Sequence, residues 1–138
     1  MKHFSFLVLL VCFTYEAFAH VEKSISDSVE VIPDFRYLYH YQNYYLSGQP
    51  TYEALIWLKD KGVQTIINLK TEKENSEFAL SAFNEEKLSG ELGFTYLNFP
   101  IDGSKDYNPE KLKAFSDMLT RDKIILIHCE SAVRVTNF

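Results

Sequence analysis

An apolar run that ends in a cysteine, with an arginine five positions further on, leaves few folds open to this chain. Ile124, Ile125, Leu126 and Ile127 lead directly into His128, Cys129, Glu130, Ser131, Ala132, Val133 and Arg134. A short run of large aliphatic side chains with no polar alternation reads as a strand buried on both faces, which requires a sheet covered by helices. A loop that leaves the C-terminal end of such a strand and feeds a helix turns several backbone N–H groups inward. It points them toward the positive end of the helix dipole and so cradles an anion. The same field favours the thiolate of a cysteine in the loop, bringing a free-thiol pKa of about 8.5 down to roughly 3.5–7.5. Arg134 adds a planar fork that grips two oxygens of the anion with parallel charge-assisted bonds.

Cysteine usage strengthens this reading once the start of the chain is set aside. Lys2 and His3, an apolar stretch over 4–13 and the small-residue pattern Ala17-Phe18-Ala19 predict a cleaved secretory leader over residues 1–19. The apolar stretch is shorter than the about 20 residues of a membrane-spanning helix. Val11, directly before Cys12, is bulky where a lipoprotein cleavage box has a small residue. The expectation is therefore an exported protein, periplasmic or secreted, with no stable membrane association after cleavage. Of two cysteines only Cys129 then remains, so the mature domain has no internal disulfide in a compartment that permits them. A lone buried cysteine is often only a small hydrophobe; here the strand before it and the arginine after it favour chemistry.

The remaining 119 residues are enough for one domain with one core. Residues 20–34, polar and serine-dotted, read as a flexible arm, and 35–138 as the folded domain. The aromatic cluster Phe35, Tyr37, Tyr39, Tyr41, Tyr44 and Tyr45 suggests extended structure leading into a first strand at 44–47, with the rings packed in the core. A helix to Lys61 follows, started near Pro50 and Thr51 and stopped by Gly62. Then come a buried strand at 63–69, a helix over about 75–88, a strand at 94–99 and a helix capped by Asn108 and Pro109. That last helix carries Leu112, Phe115 and Leu119 on its apolar face. Strands alternating with helices predict an α/β fold, a mostly parallel central sheet flanked by helices. Asn68 and Lys70 fall at the C-terminal sheet edge, where such folds bind ligands. Only four residues follow Arg134, so the covering helix is barely begun and the chain reads as truncated at its C-terminus.

Four segments in order carry a resemblance: Tyr45-Leu46-Ser47-Gly48-Gln49-Pro50, Thr65-Ile66-Ile67-Asn68-Leu69, Phe99-Pro100-Ile101-Asp102, and Ile127 through Val135 around the cysteine. Together they resemble the bacterial beta-lactamase-hydrolase-like phosphatase-like family, itself similar to the dual-specificity and protein tyrosine phosphatases. The resemblance implies a cysteine phosphatase fold with Cys129 as nucleophile, Arg134 as phosphate clamp and Asp102 as general acid. The loop of Glu130, Ser131, Ala132, Val133 and Arg134 would bind the substrate phosphate. Two features depart from the tyrosine phosphatase signature. The loop has four residues between cysteine and arginine, one fewer than standard, and Ala132 stands where glycine is common.

On the residues alone, Asp102 follows a strand on a Gly103-Ser104 loop, which suits an acid, but a turn or backbone cap would use the same aspartate, and Asp106 competes for the role. His128 alternates to the opposite side of the strand from Cys129 and is expected to orient the loop from behind. Glu130 is expected to face solvent, because a carboxylate aimed into the cradle would oppose an anion. The reaction class is hydrolysis of phosphate monoesters, of a protein or a small molecule, through a phosphocysteine. Rhodanese-like sulfur transfer through a persulfide on Cys129 is the alternative from the same cradle, and an anion-binding domain without turnover a third reading. No cofactor is called for and no metal-ligand spacing is present. The net charge of −5 argues against nucleic acid as a partner.

Overall fold

The computed structural model describes residues 32–137. The expected leader, residues 20–31 of the expected arm and Phe138 lie outside the described residues. Among the described residues nine α-helices and strands follow one another. They are β1 (Leu38–Tyr41), β2 (Tyr44–Ser47), α1 (Tyr52–Asp60), β3 (Thr65–Asn68), α2 (Glu72–Ser81), α3 (Glu85–Glu91), β4 (Thr95–Asn98), α4 (Pro109–Met118) and β5 (Ile125–His128). The sheet order is β1-β2-β5-β3-β4, with β1 antiparallel to β2 and every other pair parallel. The expected α/β architecture is therefore the observed one.

Register decides where the loops meet. Ser47 and Asn68 both pair with His128, and Asn98 pairs with Asn68. Four parallel strands thus end on one line, and the loops after them share one sheet edge. Central β5 alternates its side chains between two cores. Ile125, Ile127 and Cys129 pack with Ile67, Leu69, Ile101, Phe115 and Val135 on the α4 side. Leu126 packs with Tyr45, Leu55, Leu58, Val63, Ile66 and Phe94 on the other. Each fully buried Leu or Ile contributes about 1.5–3 kcal/mol, so the two faces hold β5 firmly.

Three expectations are corrected. The helix over 75–88 is two helices, α2 and α3, because Thr71 starts the first three residues earlier and Asn84 caps a second start by accepting from the Lys87 N–H. The aromatic cluster is not uniformly core: Tyr45 is buried, whereas Tyr37, Tyr39 and Tyr41 are exposed on or beside the edge strand β1. That strand is an additional one, made by the hairpin that the aromatic alternation shares with β2. Leu112 is exposed on α4, leaving Phe115 as its buried anchor. After Arg134 the described residues form a single 3-10 turn, Val135–Asn137. Among the described residues no helix is long and apolar enough to cross a membrane.

Candidate active site

The loop after β5 is tied down from three sides. His128 accepts at its carbonyl from the Leu69 N–H (2.8 Å), the Cys129 N–H donates to the Ser47 carbonyl (3.4 Å), and the Glu130 carbonyl accepts from the Gln49 N–H (3.1 Å). Further on, the Ala132 carbonyl accepts from the Thr136 N–H (3.2 Å). Ala132 has a φ of +64°. This is the left-handed region that costs a residue with a Cβ about 1–2 kcal/mol and that glycine enters freely, so the loop demands here what glycine usually supplies. The backbone turn is made despite the methyl group, which is itself buried. Gly48 meets the opposite demand: a Cβ there would lie 2.6 Å from the Arg36 carbonyl and 3.1 Å from that of Glu130, so only glycine lets this loop pass the next. Cys129 is 1% exposed, on the α4 side.

Arg134 reaches back under the loop to a carboxylate absent from the candidates read in the sequence. One terminal nitrogen donates to Glu74 Oε2 (2.9 Å) and to the carbonyls of Leu69 (3.1 Å) and Ile101 (3.3 Å), and the other donates to Glu74 Oε1. Glu74 is also the third helical residue of α2 and completes a capping box with Thr71, accepting from its N–H at 2.8 Å. The pattern Thr71-x-x-Glu74 is a capping-box signature that could have placed this helix start, which the expectation of a helix over 75–88 missed; nothing local marks its partner across the fold. The bond from Arg134, outweighing the effect of burial, holds the Glu74 carboxyl down at about 2, and the same pair raises the Arg134 guanidinium.

A pH signature follows. With a folded pKa near 2 against an ordinary value of 4.5, Glu74 contributes stability that is complete above about pH 5 and is lost as pH falls toward 2. Glu74→Gln is expected to cost on the order of 2 kcal/mol at pH 7. The gap from the parent should close between about pH 5 and 2 in denaturant titrations. A gap that stays constant over that range would show that the ion pair carries none of it.

Asp102 and Arg134 line one open cleft of about 410 Å³ together with Thr71, Glu74 and Ile101. The competitor Asp106 is engaged elsewhere. Its Oδ2 accepts from the Asp102 N–H at 2.6 Å and lies 3.0 Å from Lys111 Nζ. That backbone bond, followed by the Lys111 bond, lowers the Asp106 carboxyl. Asp106 thus serves as a backbone cap that shapes the turn, while the Asp102 side chain stays exposed at the cleft, 3.6 Å from Lys105 Nζ.

Behind the loop, on the other side of β5, lies a chain of buried polar groups. His128, fully buried, places Nε2 2.8 Å from Glu85 Oε1, an ion-pair distance outside good hydrogen-bond alignment. Gln49 donates from Nε2 to Glu85 Oε2 (2.9 Å) and accepts at Oε1 from Lys70 Nζ (2.5 Å). Lys70, also fully buried, lies 3.5 Å from Glu130 Oε2 and caps the Phe78 ring at 4.4 Å. Burial pushes the Glu85 carboxyl up, but His128, the Gln49 amide and Lys70 outweigh it and hold it low. Glu130 itself is half exposed and 3.7 Å from Arg36 Nη1. The structure thus brings Cys129, Arg134 and Asp102 to one edge and sets His128 behind them. Ser131 is half-buried and Val133 exposed. Among the described residues no group of three or more His, Cys, Asp or Glu side chains is placed to hold a metal ion.

Known proteins share this sequence pattern and this fold. The sequence profile of the family described as DSP-PTPase phosphatase fused to NAD+ kinase matches residues 17–137. A rice protein (Oryza sativa subsp. japonica) named probable NAD kinase 2, chloroplastic, is 25% identical over 118 residues, covering 84% of this chain and 11% of its own. A phosphatase candidate of the DUF442 type from Shewanella putrefaciens superposes with a TM-score of 0.61 at 26% identity, over 74% of this chain and 64% of its own. A phosphatase candidate from Neisseria meningitidis shares the fold at a TM-score of 0.60 and 18% identity, over 75% of this chain and 73% of that one. The chain therefore spans a small part of the rice protein and just under two thirds of the Shewanella chain. With a family match over most of its length and the loop in place at the sheet edge, the chain belongs to this dual-specificity and tyrosine phosphatase-like family.

Proposed function

We propose that this protein is a cysteine-dependent phosphatase that hydrolyses phosphate monoesters through a phosphocysteine. The observation that carries the reading is the convergence of three groups: Cys129 and Arg134 bracket one loop, and Asp102 lines the same cleft as Arg134. The Cys129 thiolate attacks phosphorus in line, forming the S–P bond as the ester P–O bond breaks. Arg134 and the loop N–H groups stabilise the equatorial oxygens as charge builds on them. Asp102 gives its proton to the departing oxygen. Its carboxylate then takes a proton from the water that attacks the phosphocysteine, releasing phosphate and regenerating the thiolate. Substrate reaches Arg134 in the presence of Glu74, so the ion pair must yield or share one donor when phosphate binds. The substrate is a phosphorylated protein or small molecule.

Asp102→Asn is the test of the acid. It is expected to lower kcat/KM for an alkyl phosphate by about 10²–10⁴-fold. Nitrophenyl phosphate should suffer far less, because its leaving group departs without a proton. Asp106→Asn, which disturbs the turn, should slow both substrates alike. Equal losses of kcat/KM on both substrates for Asp102→Asn would remove it from the acid role, since kcat/KM excludes the later hydrolysis of the phosphocysteine that both substrates share. Thiosulfate-to-cyanide transfer, assayed beside phosphate release, separates the sulfurtransferase reading: thiocyanate without phosphate would replace this proposal.

A further inference from the structure

The segment Ser47-Gly48-Gln49-Pro50 approaches the cysteine loop yet contributes no group to the chemistry above. Its Gln49 is held at both ends. The main-chain N–H donates to the Glu130 carbonyl at 3.1 Å. The side-chain amide lies between two buried charges of opposite sign, accepting from Lys70 at 2.5 Å and donating to Glu85 at 2.9 Å. A neutral amide satisfies both, with an acceptor for the ammonium and a donor for the carboxylate. Because a trans peptide is planar, its C=O and the next N–H point in opposite directions. Pinning the Glu130 carbonyl to Gln49 therefore turns the Ser131 N–H to the other side of the loop, away from Gln49.

We infer that Gln49 is a positioning residue for the anion loop. Its main chain sets the Glu130–Ser131 peptide, and its side-chain amide, locked between Lys70 and Glu85, keeps that main chain in place. The inference rests on the reading of residues 129–134 as a phosphate-binding loop. The groups that surround the amide are Lys70 after β3, Glu85 at the start of α3, His128 on β5, Glu130 in the loop with its partner Arg36, and Tyr96 on β4 beside Glu85. Burial makes the bridge demanding. Lys70 is fully buried and Glu85 nearly so, and neither reaches bulk water if the amide is lost.

Gln49→Glu tests this with a signature that simple destabilisation lacks. The new carboxyl still accepts from Lys70 but faces Glu85 without a donor. Two carboxylates in contact push one apparent pKa up, and a single shared proton restores the donor. The variant should therefore work at acidic pH and fail as pH rises. Expected values of kcat/KM for an aryl phosphate are within about threefold of the parent at pH 5. At pH 8 they should lie about tenfold to a hundredfold below it, the range expected when a reacting group is displaced by about 1 Å. The rise in melting temperature caused by inorganic phosphate at constant ionic strength should follow the same course, and needs no turnover.

A variant-to-parent ratio independent of pH overturns the inference. So does a loss of activity that merely follows the loss of folded protein, since that assigns Gln49 a structural part alone. If the parent binds phosphate but releases none from the ester, the phosphatase reading fails and the phosphate-induced shift alone decides for or against Gln49. A parent that neither hydrolyses the ester nor responds to phosphate overturns both.

Discussion

Cys129→Ser is expected to abolish phosphate release while leaving the fold and phosphate binding in place. A hydroxyl stays protonated at neutral pH where the loop offers no base to activate it. The loss should be about 10³-fold or more, the scale seen when a covalent nucleophile is removed. The substitution exchanges one small buried atom for another in the packing of Ile127, Ile101 and Val135. Inorganic phosphate should therefore still raise the melting temperature of the variant, because Arg134 and the loop N–H groups remain. Rapid acid quench of the parent with an aryl phosphate should trap phosphate on the chain, and the variant should trap none. Turnover that persists in Cys129→Ser would assign the nucleophile elsewhere.

Arg134→Lys carries the second large effect, and it reads two roles at once. Lysine keeps the charge but replaces the planar fork with a single ammonium, so the bidentate grip on phosphate is lost. The expected fall in kcat is about 10²–10³-fold, typical for removal of one preorganised donor from a developing charge. Stability should fall as well, because Glu74 and the carbonyls of Leu69 and Ile101 lose donors they share with this one side chain. A cost of about 2–3 kcal/mol is expected for breaking such a charged, partly buried set. The double variant with Glu74→Gln separates the roles. The stability losses should be non-additive by about 1–3 kcal/mol, since both report the same ion pair, whereas the loss of kcat should remain with Arg134. If Arg134→Lys lowers the melting temperature but leaves kcat unchanged, the guanidinium is a structural tie and not the phosphate clamp.

The dependence of Arg134 on Glu74 also shapes how a ligand would enter. In the structure the guanidinium fork faces a carboxylate whose two oxygens occupy it as two phosphate oxygens would. The same carboxylate caps α2, a helix with no fully buried residue. The start of α2 and the Arg134 guanidinium are thereby joined through one side chain, so a change at either is coupled in free energy to the other.

Local chemistry made the α/β alternation, the strand before Cys129 and the helix starts at Thr51 and Asn108 legible in the sequence. Apolar periodicity and short-range capping act within a few residues and need no partner from elsewhere. The opposite facing of Cys129 and His128 was legible for the same reason, since alternation along a strand is a property of the backbone. The requirement at Ala132 was visible too, through the absence of glycine where the loop turns left-handed.

Pairing at a distance was settled by the assembled fold. Nothing near Glu74 marks it as the partner of Arg134, sixty residues away. Glu85 sits in a run of surface-like charges, yet it is buried, 2.8 Å from His128, because α3 packs beside β4 on that face of the sheet. The split of one expected helix into α2 and α3 placed both acids, and the line of strand ends set by register brought Gln49, Lys70 and Cys129 to a common edge. Composition and periodicity specify which face of an element turns inward. Which charge meets which depends on how the elements stack, and that is settled by the packing of the whole sheet and its helices.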